Sequence, residues 1–255
     1  YVAITGYGYT GAYKNLAGHD MNYLGYSGIL GLSGDEEKPT LAACQIADVA
    51  GGSYPAVVAC LSALWARERT GKGQFVDVAM TDCVMPLLSM QMGEFLNTGV
   101  KQKRGEPMLS GGMANYNLYK CKDEKWIALG SLEPKFWQGV CALLNKPDWI
   151  PRMLPVPEMV TSLKKDLQEI FLTKTRDEWV AAATPLDVCL TPILDLDEVE
   201  KDIHLNQREM FIEVEHTDYG KLKGINQPFK FSETPAKPSW GAPLMGEDNL
   251  LLNEM

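Results

Sequence analysis

The order of hydrophobic and polar positions predicts alternating strands and helices from the first residue. Tyr1 to Thr5 is rich in β-branched residues and predicts a strand. The clearest helix is predicted over Ser53 to Thr70, with Ser53 as N-cap and Gly71 ending it. Its apolar positions recur with helical spacing and share one face, namely Val57, Val58, Leu61, Leu64 and Trp65. A strand over 74–79 and a helix over 81–96 follow, so the first part of the chain is of mixed α/β type.

The second half of the chain predicts a smaller α+β unit behind a polar linker. Residues 116–120 and 126–130 predict a hairpin, and a helix begins at Pro134 and reaches about Leu144. Shorter helices are predicted at 158–172, 175–183 and 196–201, with an edge strand at 188–194 because Pro192 removes a ladder donor. We therefore expect four segments: large-domain residues 1–96, linker 97–115, small domain 116–205 and an extended return segment 206–255.

Composition narrows the function classes. The 255 residues are 45% hydrophobic and 22% charged with a net charge of -9, which is ordinary for a globular protein. No basic cluster reaches the density of a nucleic-acid footprint, and we expect no run of about 20 apolar residues that would cross a membrane. The six cysteines are widely spaced, which favours reduced thiols in the cytoplasm or an organelle matrix. With three histidines and no ligand-type spacing, we expect no metal.

A glycine-rich segment after the first strand, Gly6 to Gly11, matches the dinucleotide-binding pattern G-x-G-x-x-G. Its context argues against a dinucleotide site, because the following stretch is short and ends at Gly18 instead of continuing as a helix. The glycines are better explained by tight turns or by close approach of a ligand.

Two short polar segments carry the candidate chemistry. His19 and Asp20 stand in one, and Asp48 stands in the other, just before the glycine pair Gly51-Gly52. Imidazole and carboxylate are the commonest proton-transfer groups near neutral pH. The glycine pair could let backbone N–H groups approach a ligand oxygen, such as that of an enolate, at the start of the Ser53 helix. The structural alternatives are a polar loop pair and a capped helix.

Three further features allow both a structural and a functional interpretation. Glu133 precedes Pro134 and is expected to be a first-turn helix acid. Gly111-Gly112 in the linker is either a flexible flap or a plain hinge. Four methionines crowd the helix over 81–96, where they either fill the core or line an acyl-chain surface; they are Met80, Met85, Met90 and Met92.

Taken together, these segments resemble the class III CoA-transferase family, and within it the α-methylacyl-CoA racemase branch. The resemblance covers most of the chain. The matching segments are Ile4-Thr5-Gly6-Tyr7-Gly8, Ala17-Gly18-His19-Asp20-x-Asn22-Tyr23, Ala47-Asp48-x-x-Gly51-Gly52-Ser53, Arg69-Thr70-Gly71-x-Gly73-Gln74-x-Val76-Asp77, Leu132-Glu133-Pro134-Lys135-Phe136 and Thr191-Pro192-Ile193-Leu194.

The resemblance implies an enzyme that epimerises 2-methylacyl-CoA thioesters by two-base proton transfer, in fatty acid metabolism. His19 and Asp48 would be the bases, Glu133 would orient His19 or tune its pKa, and Asp20 and Tyr23 would line the site. Gly51, Gly52, Gly111 and Gly112 are the further expected substrate contacts. CoA would enter as part of the substrate, so no separate cofactor is expected. The implied fold is part of a Rossmann-like large domain plus a smaller α+β domain, in an interlocked homodimer.

The chain departs from the family pattern in two places. Cys44 stands where racemases carry asparagine, so one polar contact of the site is expected to be lost. Family members begin with roughly 100 further residues that hold much of the CoA nucleotide site, so we expect this chain to be a fragment or one part of a split protein. Two alternatives stay open: a CoA-transferase with Asp48 as nucleophile, and an inactive partner that only interlocks with a complete homologue.

Overall fold

The computed structural model describes residues 1–154, 156–236 and 241–249. The chain divides into two compact units, Tyr1–Pro192 and Ile193–Met255. The four-segment division expected from the sequence stays a prediction, and part of its return segment, 237–240 and 250–255, lies outside the described residues.

The N-terminal part of the first unit pairs two parallel strands and surrounds them with helices. Val2 of β1 lies opposite Val76 of β2, and the register continues to Thr5 and Ala79. A parallel pair needs a crossover connection, which here contains helices. The elements in order are β1 (Val2–Thr5), α1 (Asp20–Tyr26), α2 (Ile29–Leu32), α3 (Tyr54–Thr70), β2 (Val76–Ala79), α4 (Met80–Val84) and α5 (Ser89–Thr98).

Two predictions in this region need correction. The helix expected over 81–96 is broken into α4, a 3-10 turn at Met85–Leu88, and α5, because Pro86 has no backbone N–H to continue an α-helix. Ser53 is not an N-cap: its backbone is helical, and a π-helical turn over Ala47–Ser53 runs directly into α3. The helical stretch therefore begins at Ala47, six residues before the predicted start at Ser53 and directly before Asp48.

The joined helical stretch Ala47–Thr70 is long and apolar enough to cross a membrane by length and composition. This corrects the expectation of no such run, because residues 49–66 carry no charged side chain. The same test is passed by core helices of soluble proteins. Here the apolar face of α3 is exposed within the described part of the chain, with Val58, Leu61 and Trp65 more than 60% accessible.

The rest of the first unit packs helices on a three-stranded antiparallel sheet. Its strand order is β3-β4-β5, so β5 is an edge strand as Pro192 predicts, and the hairpin has Tyr116 opposite Gly130. Trp137, Tyr119 and Phe171 are among its largest fully buried side chains, and the Trp137 indole N–H donates to the Trp149 carbonyl at 3.0 Å. The elements are β3 (Tyr116–Lys120), β4 (Trp126–Gly130), α6 (Pro134–Leu143), α7 (Pro157–Phe171), α8 (Arg176–Ala183) and β5 (Leu190–Pro192).

The second unit contains an antiparallel hairpin that the sequence pattern did not reveal. The sequence predicts an extended segment from residue 206 onward, and within it β6 and β7 pair from Phe211 opposite Ile225 to His216 opposite Gly220. Gly220 has a φ of +68° and opens β7. The elements of this unit are α9 (Leu196–Val199), α10 (Ile203–Gln207), β6 (Phe211–His216) and β7 (Gly220–Ile225).

Candidate active site

His19 stands at the N-terminus of α1, where its backbone is held in place. Its N–H donates to the Asn22 Oδ1 at 3.0 Å, and its carbonyl accepts the Asn22 N–H at 2.8 Å. The residue is exposed to solvent. The sequence therefore supplies an ordered histidine whose side chain is accessible to a ligand.

Asp48 lies in the first turn of the π-helical stretch, and it too is exposed. The Ser53 hydroxyl donates to the Asp48 carbonyl at 3.2 Å, so a side chain at the end of the turn bonds to the backbone at its start. π-Helical turns are rare, and they occur often at functional sites. The turn places a carboxylate at the start of a long helical stretch, where the helix dipole favours negative charge.

Asp20 connects the histidine helix with the Asp48 turn. Its Oδ1 accepts the N–H of Ala47 at 2.5 Å and the N–H of Asp48 at 3.2 Å. Asp20 is the residue after His19, so its side chain connects the start of α1 with the Asp48 backbone, 28 positions later in the sequence. The structure thus places Asp20 against the backbone of the Asp48 turn, which spacing alone did not establish.

Tyr23 is the buried member of the site, with 7% of its surface accessible. Its hydroxyl donates to the Gly18 carbonyl at 2.5 Å. Burial raises the pKa of Tyr23, and the neighbouring Tyr7 and the negative charge of Asp48 raise it further. The contribution of Asp48 indicates that this carboxylate lies near the Tyr23 phenol.

The glycine pair Gly51-Gly52 serves packing. Both residues are buried, and a Cβ on Gly51 would lie 2.8 Å from the Met80 carbonyl oxygen and 2.6 Å from Val84 Cγ1. The absence of a Cβ lets the Asp48 turn lie directly on α4. The sequence analysis expected free backbone N–H groups at a helix start at Ser53. Ser53 instead lies inside a continuous helical stretch, so that expectation is wrong.

Glu133 is at the N-terminus of α6, as its position before Pro134 predicts, and it is exposed. Its negative charge contributes, after desolvation, to the raised pKa of the Cys189 thiol. Within the described residues, no hydrogen bond or ion pair joins Glu133 to His19. Its expected role beside the histidine stays a prediction.

Gly111-Gly112 is held by side chains from two elements. The Gly111 carbonyl accepts the Lys164 ammonium at 2.5 Å and the Asn117 amide at 3.4 Å. Desolvation lowers the pKa of Lys164, and the charge of Glu36 opposes that shift. Sequence reasoning missed Lys164, because a lysine on an amphipathic helix such as α7 gives no sign of a distant partner.

The methionines of the segment from α4 to α5 do not all lie in the core. Met85 is 41% exposed and Met90 is 68% exposed, which favours a surface position for these two residues. Among the described residues, no group of three or more His, Cys, Asp or Glu side chains is placed to hold a metal ion.

Comparisons with known proteins agree with the segment resemblance. The model of CoA-transferase family III matches residues 1–249. The α-methylacyl-CoA racemase of Homo sapiens is 33% identical over 97% of this chain, and the chain spans 64% of that relative's length. An acyl-CoA transferase of Fusarium pseudograminearum is 28% identical over 100% of the chain and 57% of its own length.

A solved structure extends the likeness to the fold. A CAIB/BAIF family protein from Brucella suis superposes with a TM-score of 0.81 at 27% identity, covering 100% of this chain and 67% of that protein. The mixed α/β architecture is therefore confirmed. The family model matches the chain almost end to end and the racemase of Homo sapiens is 33% identical to it, so this protein belongs to CoA-transferase family III.

Proposed function

We propose that this chain belongs to an enzyme that epimerises 2-methylacyl-CoA thioesters by proton transfer at the α-carbon. The observation that carries the proposal is the link from α1 to the Asp48 turn: Asp20, the residue directly after His19, accepts the N–H of Ala47 and of Asp48. The similarity to the racemase of Homo sapiens supports the same reaction. A single base would return the proton to the face it came from, whereas two bases permit inversion.

In the proposed reaction, one base removes the α-proton and the C–H electron pair moves toward the thioester carbonyl, giving a planar enolate. The other base then delivers a proton to the opposite face, and the configuration inverts. His19 serves one face and Asp48 the other. Imidazoles and carboxylates are both common general acids and bases, so each residue can accept a proton and return one.

The developing enolate oxygen needs a donor other than the first N–H groups of the helical stretch. Asp20 already accepts the N–H of both Ala47 and Asp48. Gly51 and Gly52 therefore let the Asp48 turn pack closely on α4. Glu133 beside His19, and Gly111-Gly112 as substrate contacts, stay predictions. An interlocked homodimer and a location in the cytoplasm or an organelle matrix belong to the same proposal.

The second candidate is CoA transfer between carboxylic acids, and the exposure of Asp48 favours it. The Asp48 carboxylate would attack the thioester carbonyl and release CoA thiolate, leaving a mixed anhydride. The thiolate would then attack the aspartyl carbonyl, which frees the carboxylic acid and leaves an aspartyl-CoA thioester. His19 would have no chemical role in this sequence.

An assay in deuterium oxide distinguishes the racemase from the CoA-transferase. We expect the native protein to incorporate one α-deuteron into each enantiomer of a 2-methylacyl-CoA while the configuration scrambles, without an acid acceptor. His19→Ala and Asp48→Ala should each abolish inversion and keep deuterium uptake into one enantiomer only. His204→Ala is the matched control, because this histidine is exposed on α10.

Two results would overturn the racemase proposal. One is CoA passing to an added carboxylate without α-deuterium uptake, together with an Asp48 thioester trapped by hydroxylamine, which would establish the transferase. The other is full inversion by His19→Ala, which would remove the histidine from the mechanism. A folded native protein with neither activity would favour the inactive-partner alternative.

A further inference from the structure

We infer that α1 is a positioning element that sets the separation of the two bases, with Asp20 holding the Asp48 turn and Tyr23 holding the peptide before His19. The inference rests on the proposed function. It assigns Asp20 and Tyr23 to positioning, whereas the family resemblance implies that they line the substrate.

The first contact fixes Asp48. A helical stretch leaves its first N–H groups without intrahelical partners, and Asp20 Oδ1 accepts the N–H of Ala47 and of Asp48. Hydrogen bonds to an ionised acceptor are about twice as strong as neutral ones. Ala47 is fully buried, so its N–H depends on Asp20 for a hydrogen-bond acceptor. The backbone of Asp48 is therefore held by the residue that directly follows His19.

The second contact fixes His19. The Tyr23 hydroxyl donates to the carbonyl of Gly18, the residue directly before His19. The Tyr23 ring fills the space beside two glycines: a Cβ on Gly18 would lie 2.8 Å from Tyr23 Cε1, and a Cβ on Gly6 would lie 2.4 Å from the same atom. The Tyr7 ring packs edge-on against Tyr23 with centroids 5.1 Å apart. The Tyr23 ring therefore lies in close contact with the Gly18 peptide.

The two contacts share one rigid support. Asp20 is the first residue of α1 and Tyr23 lies one turn later, so the helix backbone links the Asp48 turn to the Gly18 peptide. The polar atoms that make these contacts, Asp20 Oδ1 and the Tyr23 hydroxyl, are already engaged by backbone groups. A role through the neighbouring bases follows for both side chains.

The test compares four variants of the native protein by deuterium uptake into each enantiomer separately. Asp20→Ala removes the acceptor, Asp20→Asn retains an oxygen acceptor, and Tyr23→Phe removes only the hydroxyl. Tyr26→Phe is the control, because Tyr26 is on the same helix and 53% exposed. The His19→Ala and Asp48→Ala variants identify which enantiomer each base serves. Thermal melting verifies that every variant is folded.

We expect Asp20→Ala to slow uptake through Asp48 by about tenfold to a hundredfold, the worth of hydrogen bonds to a charged group. Asp20→Asn should restore most of that loss. Tyr23→Phe should slow deuterium uptake through His19 by about threefold to tenfold, the worth of a neutral hydrogen bond. The logarithm of the uptake rate into the other enantiomer should change by less than half as much. If these side chains had a purely structural role, the rates of deuterium uptake into both enantiomers would fall together.

Amide hydrogen exchange provides a readout that does not depend on the reaction. Asp20→Ala should expose the amides of Ala47 and Asp48 to exchange, and Asp20→Asn should keep them protected. Unchanged protection in Asp20→Ala, or equal loss for both enantiomers in either folded variant, would overturn the inference. If the unmodified protein incorporates no α-deuterium, the proposed function fails, and the amide measurement still decides whether Asp20 holds the Asp48 turn.

Discussion

The adjacent glycines beside Asp48 respond differently to the same substitution, although both are buried. A Cβ on Gly51 would meet the Met80 carbonyl oxygen at 2.8 Å and Val84 Cγ1 at 2.6 Å. Val84 is completely buried and the carbonyl belongs to the backbone of α4, so neither can retreat easily. A Cβ on Gly52 would meet the Met80 side chain at 3.2 Å and Ile4 Cγ2 at 3.5 Å. A methionine side chain is flexible and can shift by a few tenths of an ångström.

The magnitudes follow from two opposing terms. Replacing glycine by alanine in a helical backbone stabilises by up to about 1 kcal/mol. Overpacking a filled interior costs about 1–3 kcal/mol. For Gly51→Ala the second term dominates, because two contacts lie below 3.0 Å, and we expect a net loss of about 1–2 kcal/mol. For Gly52→Ala the terms nearly cancel, so its stability should lie within about 0.5 kcal/mol of the original protein.

Thermal unfolding followed by circular dichroism measures this difference. Gly51→Ala should lower the Tm by about 2–8 °C, and Gly52→Ala should leave it within about 2 °C. Because a shift of the turn also moves Asp48, Gly51→Ala should slow α-deuterium uptake by about tenfold or more. A Gly51→Ala protein that melts at or above the original temperature, with normal uptake, would refute the argument that the turn lies directly on α4.

Two further predictions concern the unit around the three-stranded sheet. Lys164→Met should make residues 108–112 more susceptible to proteolysis, because the Gly111 carbonyl loses its ammonium donor. Lys165 is an exposed neighbour of Lys164, so Lys165→Met should not have this effect, and equal cleavage of the two variants would contradict the prediction. Burial raises the pKa of the Cys121 and Cys141 thiols to about 11, from a value of 9.0 for free thiols, so they stabilise the fold fully below pH 9 and lose that contribution as the pH rises through 11. Urea midpoints measured between pH 8 and 11 should therefore fall less steeply for the Cys121→Ala/Cys141→Ala variant than for the original protein, and equal slopes would refute the role of the thiols.

Local sequence determined much of the second half of the first unit. The hairpin β3–β4, the proline-initiated helix α6 and the edge position of β5 follow from alternation, a helix-start proline and a proline inside a strand. These signals act within a few residues, so they need no knowledge of the rest of the chain. The short family segments also identified the family, because the order of several motifs is specific even when each motif alone is weak.

Local sequence was misleading where a packing contact overrides propensity. Ser53 has the residue type of an N-cap, yet the helical backbone begins at Ala47, where Asp20 supplies acceptors for the first N–H groups. The hairpin β6–β7 was missed although Ile212 to Glu215 alternate between apolar and polar residues. The alternating run is short, and all of β7 except Gly224 is exposed, so the pattern gives little sign of a buried face. A helix over 81–96 was predicted from its composition, but Pro86 divides it.

The sequence by itself determined which chemical groups this protein has, including a histidine and a carboxylate near paired glycines, and it indicated the family to which the chain belongs. Only the tertiary structure decided how these groups meet. Asp20 and Asp48 are 28 residues apart, and no periodicity specifies that one will accept the other's N–H. That contact exists because Tyr23 and Leu24 are buried with Ala47 and Val84 in one hydrophobic cluster. Burial of apolar side chains from several distant segments is a property of the whole fold, and it is what brings α1 against the Asp48 turn.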